Sequence, residues 1–126
     1  HIRLTERRFR KLDLLNGAHF EMENSDSGIY IMPWGSSKGA AREAYERLIQ
    51  DGVDIGWLYS VALNPLPQEV KKILSKAKNI IVPELNYLGQ WSSILRMDGY
   101  RAQSITQYTG LPFKPNHLVE EIKKII

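Results

Sequence analysis

Apolar residues along this chain come in short unbroken runs that alternate with stretches of helical spacing. Ile29–Met32, Asp54–Val61, Asn79–Val82 and Ala102–Tyr108 read as strands, because brief runs rich in branched and aromatic side chains, bounded by turn residues, favour extended backbone. Between them, Ala41, Ala44, Tyr45 and Leu48 share one face of a helix expected from about Lys38 to Gln50, with Asp51-Gly52 as its stop. The turn Asn64–Pro67 leads into a helix expected to bury Val70, Ile73, Leu74 and Ala77. A short helix over Gln90–Met97 is expected to turn Trp91, Ile94 and Leu95 inward, and a last one after Gly110–Pro115 packs Leu118, Ile122 and Ile125. Ala18–Glu23 has weaker strand character and is joined to the next strand by a turn at Ser25–Gly28.

Strands alternating with helices through short loops build a largely parallel sheet covered on both faces. The unbroken apolar runs fit that arrangement, since a doubly covered strand has no wet face. The expected fold is therefore a three-layer α/β/α sandwich. Only a short turn precedes Ile29–Met32, so Ala18–Glu23 is expected as an antiparallel edge strand. Open α/β sheets gather ligands at the carboxyl ends of their strands. Three loops leave such ends: Trp34–Gly39, Asn64–Pro67 and Pro83–Gln90.

Composition narrows the class. The 126 residues are 43% hydrophobic and 25% charged, which is ordinary for one globular domain. No apolar run is long enough to cross a bilayer. The chain has no cysteine, which excludes disulfides and thiolate-held metal or iron–sulfur sites and fits a reducing, cytoplasmic compartment. The net charge of +3 is unevenly spread. Residues 1–11 hold Arg3, Arg7, Arg8, Arg10 and Lys11 against Glu6, for +4, while the other 12 basic and 13 acidic residues come to −1. With the excess confined to an arm, a nucleic-acid surface is not expected. Ile2, Phe9 and Leu12 give the arm helical spacing, and no signal-peptide core follows it. Residues 1–17 are expected to be a basic connecting helix and linker from a longer parent chain, and 18–126 a single domain.

Two loops carry candidate chemistry. Gly35, Ser36, Ser37, Lys38 and Gly39 lie between a strand and a helix, where main-chain N–H groups favour an anion. They spell neither the dinucleotide nor the P-loop pattern, and the glycines are accounted for by a tight turn. The same residues match G-x-S-x-G with Ser37 central, and Asp98 and His117 follow in the chain order of a hydrolase triad. Only one clear strand precedes Ser37, and the chain is short for that fold, so a serine hydrolase is the weakest alternative. Glu84 and Asn86, after the third apolar strand, suit a cation, a polar ligand or a helix cap. No histidine or carboxylate spacing suggests a metal site.

Taken in order, these segments resemble the C-terminal domain of the alpha subunit of 2-oxoacid:ferredoxin oxidoreductases. The likeness rests on Trp34–Gly39, Glu43-Ala44, Leu63–Pro67, Glu84 with Asn86, Tyr87, Gly89 and Gln90, Leu95-Arg96, and Tyr108 with Gly110, Pro112, Phe113 and Pro115. The arm Arg7–Leu12 looks like the family's basic entry helix. Pro33, Leu88 and Trp91 depart from the family's usual residues. The resemblance implies a transketolase C-terminal-like sheet of strand order 1-3-2-4-5. It also implies a parent enzyme that oxidatively decarboxylates a 2-oxoacid with coenzyme A and passes the electrons to ferredoxin. In such enzymes thiamine diphosphate and magnesium lie between a pyrimidine-binding domain and the beta subunit, and iron–sulfur clusters are held elsewhere. The fragment itself would hold no cofactor and no catalytic residue, and would serve as scaffold and subunit contact in an oligomeric complex. Its contact residues would be Trp34, Gly35, Ser36, Ser37, Lys38, Gly39, Glu84, Asn86, Gly89 and Gln90. The alternative is a freestanding α/β module that binds a small molecule or anion at Trp34–Gly39.

Overall fold

The four apolar runs and the weaker first segment form one sheet. A computed structural model describes residues 20–60, 66–84, 90–106 and 112–126. In chain order the elements are β1 (Phe20–Glu23), β2 (Ile29–Ile31), a 3₁₀ turn (Gly35–Ser37), α1 (Lys38–Gln50), β3 (Gly56–Ser60), α2 (Gln68–Lys76), β4 (Asn79–Glu84), α3 (Gln90–Met97), β5 (Ala102–Thr106) and α4 (Pro115–Ile125). The sheet order is β1-β3-β2-β4-β5. β1 runs antiparallel to β3, from Phe20 opposite Ser60 to Glu23 opposite Trp57, and every other pairing is parallel. The three-layer sandwich, the antiparallel edge strand and the order 1-3-2-4-5 are as expected.

Strand alternation divides the core in two. Tyr30, Met32, Leu58, Ile80 and Val82 point to one face, where Val70 and Leu74 of α2 and Trp91 and Leu95 of α3 cover them. Ile31, Trp57, Ile81 and Ile105 point to the other, beneath Ala41, Ala44, Tyr45 and Leu48 of α1 and Leu118 and Ile122 of α4. Buried on both sides, these strands must be apolar throughout, which is why they read as runs.

Several expectations need correction. β4 does not stop at Val82 but continues through Pro83 to Glu84, with Pro83 opposite Ile105 and Glu84 opposite Thr106. β3 begins at Gly56 rather than Asp54. Ile94 is 49% exposed rather than inward, because the buried stripe of α3 runs through Trp91, Ser92 and Leu95. Ile73 and Ile125 are half-buried at the edges of the two cores. The arm 1–17, Ala18, His19 and the ends of the expected strands at Val61, Gln107 and Tyr108 lie outside the described residues.

Sequence periodicity does not reveal how β1 is held. Glu21 Oε1 accepts from Trp57 Nε1 at 3.0 Å, and Oε2 accepts from Lys38 Nζ at 2.9 Å. Glu23, 2% exposed, pairs with Arg42 at 2.5 Å. The Arg42 guanidinium lies over the rings of Tyr45 and Trp57, at 5.2 and 5.1 Å, and also meets Glu46. Burial works against the charge on Arg42, but bonding to Glu23 and the nearby Glu46 outweigh it and raise the group above its ordinary pKa. Lys38, Arg42 and Glu46 stand at four-residue intervals on α1, so a single helical face clamps the edge strand.

Tyr30 anchors the opposite end of β2. Its hydroxyl donates to Ser25 O and accepts from Gly28 N. Burial raises the phenol above its ordinary value, the Gly28 N–H opposes that shift, and Asp26 and Asp54 add to it. An unfolded chain loses the Tyr30 proton near pH 10, while the folded chain retains it to higher pH. In that window the folded state binds more protons, so stability falls as pH rises. Urea midpoints measured from pH 8 to 11 are expected to decline above about pH 10, and less steeply in Tyr30→Phe. Parallel curves for the two proteins would show that Tyr30 is not the group responsible.

Candidate functional site

The strand order reverses between β2 and β4. α1 leads from β2 to β3 on one side, while α3 leads from β4 to β5 on the other and packs on the opposite face. The carboxyl ends of β2 and β4 thus form the topological switch point, the place where doubly wound sheets receive their ligands. The Trp34–Gly39 loop and the first residues of the Pro83–Gln90 loop, Pro83 and Glu84, meet there.

In the first, Pro33 is buried and Trp34 is extended at φ −133°. Gly35 then takes φ +67°, a left-handed conformation that a side chain would strain. The chain next winds through a 3₁₀ turn into α1. Trp34 is half-buried against the core cluster under α2 and α3. Gly35, Ser36 and Gly39 are exposed.

Ser37 is 2% exposed, with its Oγ 2.8 Å from Trp34 O and 2.6 Å from Pro83 O. Its single proton is shared between two main-chain carbonyls, and the hydroxyl fastens the loop after β2 to the end of β4. Asp98 is exposed after the last turn of α3, and His117 is exposed on α4. A buried hydroxyl already bonded to carbonyls, with both supposed triad partners on the surface, has no base to activate it. Ser37 is a structural tie here.

Lys38, the cation of that loop, is also engaged within the chain. It pairs with Glu21 and lies 4.0 Å from the centre of the Tyr59 ring. Its charge is therefore balanced before any anion arrives.

Glu84 closes the second loop's entry. It is 0% exposed, and its two oxygens accept from Trp91 N at 2.6 Å and Ser92 N at 3.1 Å. Of the three uses the sequence left open, the structure shows helix capping. An anionic cap satisfies main-chain donors and suits the positive end of the helix. Gln90 opens α3, whereas Asn86 and Gly89 lie outside the described residues, as do Asn64 and Pro65 of the third loop. Among the described residues no three histidine or carboxylate side chains group as metal ligands, and no helix is long and apolar enough to cross a membrane.

Residues 28–110 match the family model for pyruvate:ferredoxin oxidoreductase core domain II. The chain belongs to this family. Similar proteins include subunit alpha of 2-oxoacid:ferredoxin oxidoreductase 1 from Aeropyrum pernix, 35% identical over 96% of this chain and 21% of the relative. Another is the 2-oxoglutarate oxidoreductase subunit KorA of Mycobacterium tuberculosis, 30% identical over 100% of this chain and 19% of the relative. A solved structure of 2-oxoglutarate:ferredoxin oxidoreductase from Magnetococcus marinus, with 2-oxoglutarate, coenzyme A and succinyl-CoA bound, superposes with a TM-score of 0.74 at 30% identity. That match covers 96% of this chain and 22% of the other. The core domain II chain thus spans about a fifth of the length of these relatives. Its family is the one its loop motifs resemble.

Proposed function

We propose that this chain is a non-catalytic structural and subunit-interface domain in the alpha chain of a 2-oxoacid:ferredoxin oxidoreductase. The parent enzyme oxidatively decarboxylates a 2-oxoacid, transfers the acyl group to coenzyme A and reduces ferredoxin. It works as a cytoplasmic oligomer in which this domain contacts the pyrimidine-binding domain and the beta subunit. One observation carries the non-catalytic part of the reading. Exposed Ser36 aside, the polar side chains described in the two loop ends at the switch point, Ser37, Lys38 and Glu84, are each bonded within the chain. None is presented to a substrate. Among the described residues no three histidine or carboxylate side chains group as metal ligands, and a chain without cysteine supplies no thiolate for an iron–sulfur cluster. Thiamine diphosphate, magnesium and the clusters belong to other parts of the parent.

The contact surface is the Trp34–Gly39 turn together with the loop that follows Glu84. A half-buried tryptophan beside exposed Gly35 and Ser36 has the mixed character of an interface anchor with a polar margin. Trp34→Ala, placed in the complete alpha subunit, is expected to weaken association with the beta subunit by about 2 kcal/mol, or roughly thirtyfold. Its effect on the melting temperature of the chain is expected to be smaller. Titration by gel filtration, alongside thermal melts, separates the two. Normal assembly with a collapsed melting temperature would make Trp34 a core residue and remove the interface reading.

A further inference from the structure

We infer that Ser37 is a positioning residue for the contact surface. Its buried hydroxyl holds the turn that presents Trp34, and so sets the affinity of this domain for the beta subunit without touching it. The inference rests on the reading that the Trp34–Gly39 turn is an interface. It adds which group makes that interface ready to bind.

The reason lies in how the β2–β4 ladder ends. Main-chain groups of a parallel strand face its two neighbours at alternate residues. Ile80 N donates to Arg101 O on the β5 side, and Ile81 O accepts from Met32 N, 2.9 Å away, on the β2 side. Residue 83 therefore faces β2 as well. The next rung would be its N–H donating to Met32 O, but Pro83 has no N–H to give. The ladder stops there for want of a donor. Pro83 O still points to the β2 side, and the proton it accepts comes from Ser37 Oγ at 2.6 Å. A side-chain hydroxyl inside the turn thus replaces a main-chain rung. Among the described residues, this is the hydrogen bond that joins residues 33–37 to β4.

The same oxygen lies 2.8 Å from Trp34 O, so one buried group fixes the main chain of the tryptophan against the end of β4. The other bonds of the turn are internal to it. Trp34 is extended, Gly35 turns back at φ +67°, and Lys38 N donates to Gly35 O. The Trp34 ring also rests on the core under α2 and α3. Apolar packing is non-directional, whereas a hydrogen bond has a preferred distance and angle. Ser37 supplies the direction. That matters for binding, because ordering an interface side chain costs affinity, and the apparent Kd rises as the competent pose becomes rarer. Position 37 is 2% exposed, so a partner does not reach the hydroxyl and its influence passes through Trp34.

A double-mutant cycle in the complete alpha subunit tests this, with the Kd for the beta subunit measured by gel-filtration titration and melting temperatures taken alongside. Ser37→Ala is expected to raise that Kd about tenfold, which corresponds to roughly one molecule in ten holding the competent pose. In the Trp34→Ala background the same change is expected to raise it by less than about twofold, because no ring is left to position. The melting temperature is expected to fall on Ser37→Ala in both backgrounds, since the bond to Pro83 O is lost in each. A serine that only stabilises the fold would lower the melting temperature and leave Kd within about twofold throughout, and that result overturns the inference. Equal losses of affinity in both backgrounds overturn it as well, since Ser37 would then act elsewhere than through Trp34. If Trp34→Ala itself assembles like the parent, the interface reading falls and the positioning role falls with it.

Discussion

Gly56→Ala is expected to cost about 3 kcal/mol or more of folding stability, the upper part of the range for overpacking a filled core. A methyl group at this position would lie 2.5 Å from Tyr30 Cδ1, 2.7 Å from Tyr30 Cε1 and 2.7 Å from Asn24 O. Real carbon atoms do not approach that closely, so something has to move. Neither neighbour is free to. The Tyr30 hydroxyl is tied to Ser25 O and Gly28 N. Asn24 holds a left-handed φ of 50°, and its side chain donates to Tyr45 Oη and Ile55 O, each at 3.1 Å. Gly39→Ala makes the contrast, since its new methyl meets nothing within 4 Å. On the exposed first turn of α1 that change is expected to stabilise by about 0.5–1 kcal/mol. Urea titrations of both variants decide the matter. A Gly56→Ala midpoint equal to the parent's would mean that the β2–β3 contact yields easily.

Glu84→Ala is expected to destabilise by a similar amount, about 3 kcal/mol. Two N–H groups, of Trp91 and Ser92, lose an ionised acceptor in a fully buried site. Hydrogen bonds to charged groups contribute about 1.5–3 kcal/mol each, and buried donors left unpaired carry their full desolvation cost. Glu84→Gln retains one carbonyl oxygen and turns an amide NH₂ toward the second donor, so it is expected to recover only part of the loss. Amide exchange at Trp91 and Ser92 should quicken in step with the drop in midpoint. If exchange there is unchanged in Glu84→Ala, the carboxylate is not what holds the start of α3.

The sheet was legible because its strands are doubly covered. Ile29–Met32 and Asn79–Val82 are apolar at every position for which the core demands it, and their flanking glycines and prolines mark the turns. β4 was cut short because proline usually ends a ladder. Here the register of β4 with β2 ends at Ile81, so Pro83 lies beyond it, and its carbonyl bonds to Ser37 instead. Polar side chains were the harder part. Ser37 and Glu84 stood out as candidate chemistry, yet whether a hydroxyl attacks or ties, and whether a carboxylate binds or caps, depends on partners 46 and 7 residues away. The Glu23–Arg42 pair had no local signal. Two acids in a four-residue segment lower its apparent strand character, and only the tertiary position of α1 turns them into a clamp.

That clamp bears on the order in which the chain becomes a protein. As the polypeptide is synthesised, Phe20–Glu23 is made before β3, with which it pairs, and Ser60 lies forty positions after Phe20. Closing so long a loop delays pairing. Until then β1 is a strand with two bare edges, the form most open to joining another chain. Glu21 and Glu23 keep it charged and hydrated through that wait. Once α1 has formed beside β3, the same two carboxylates meet Lys38 and Arg42 and hold the strand in place. Charges that first hold neighbouring chains off later secure the edge from within.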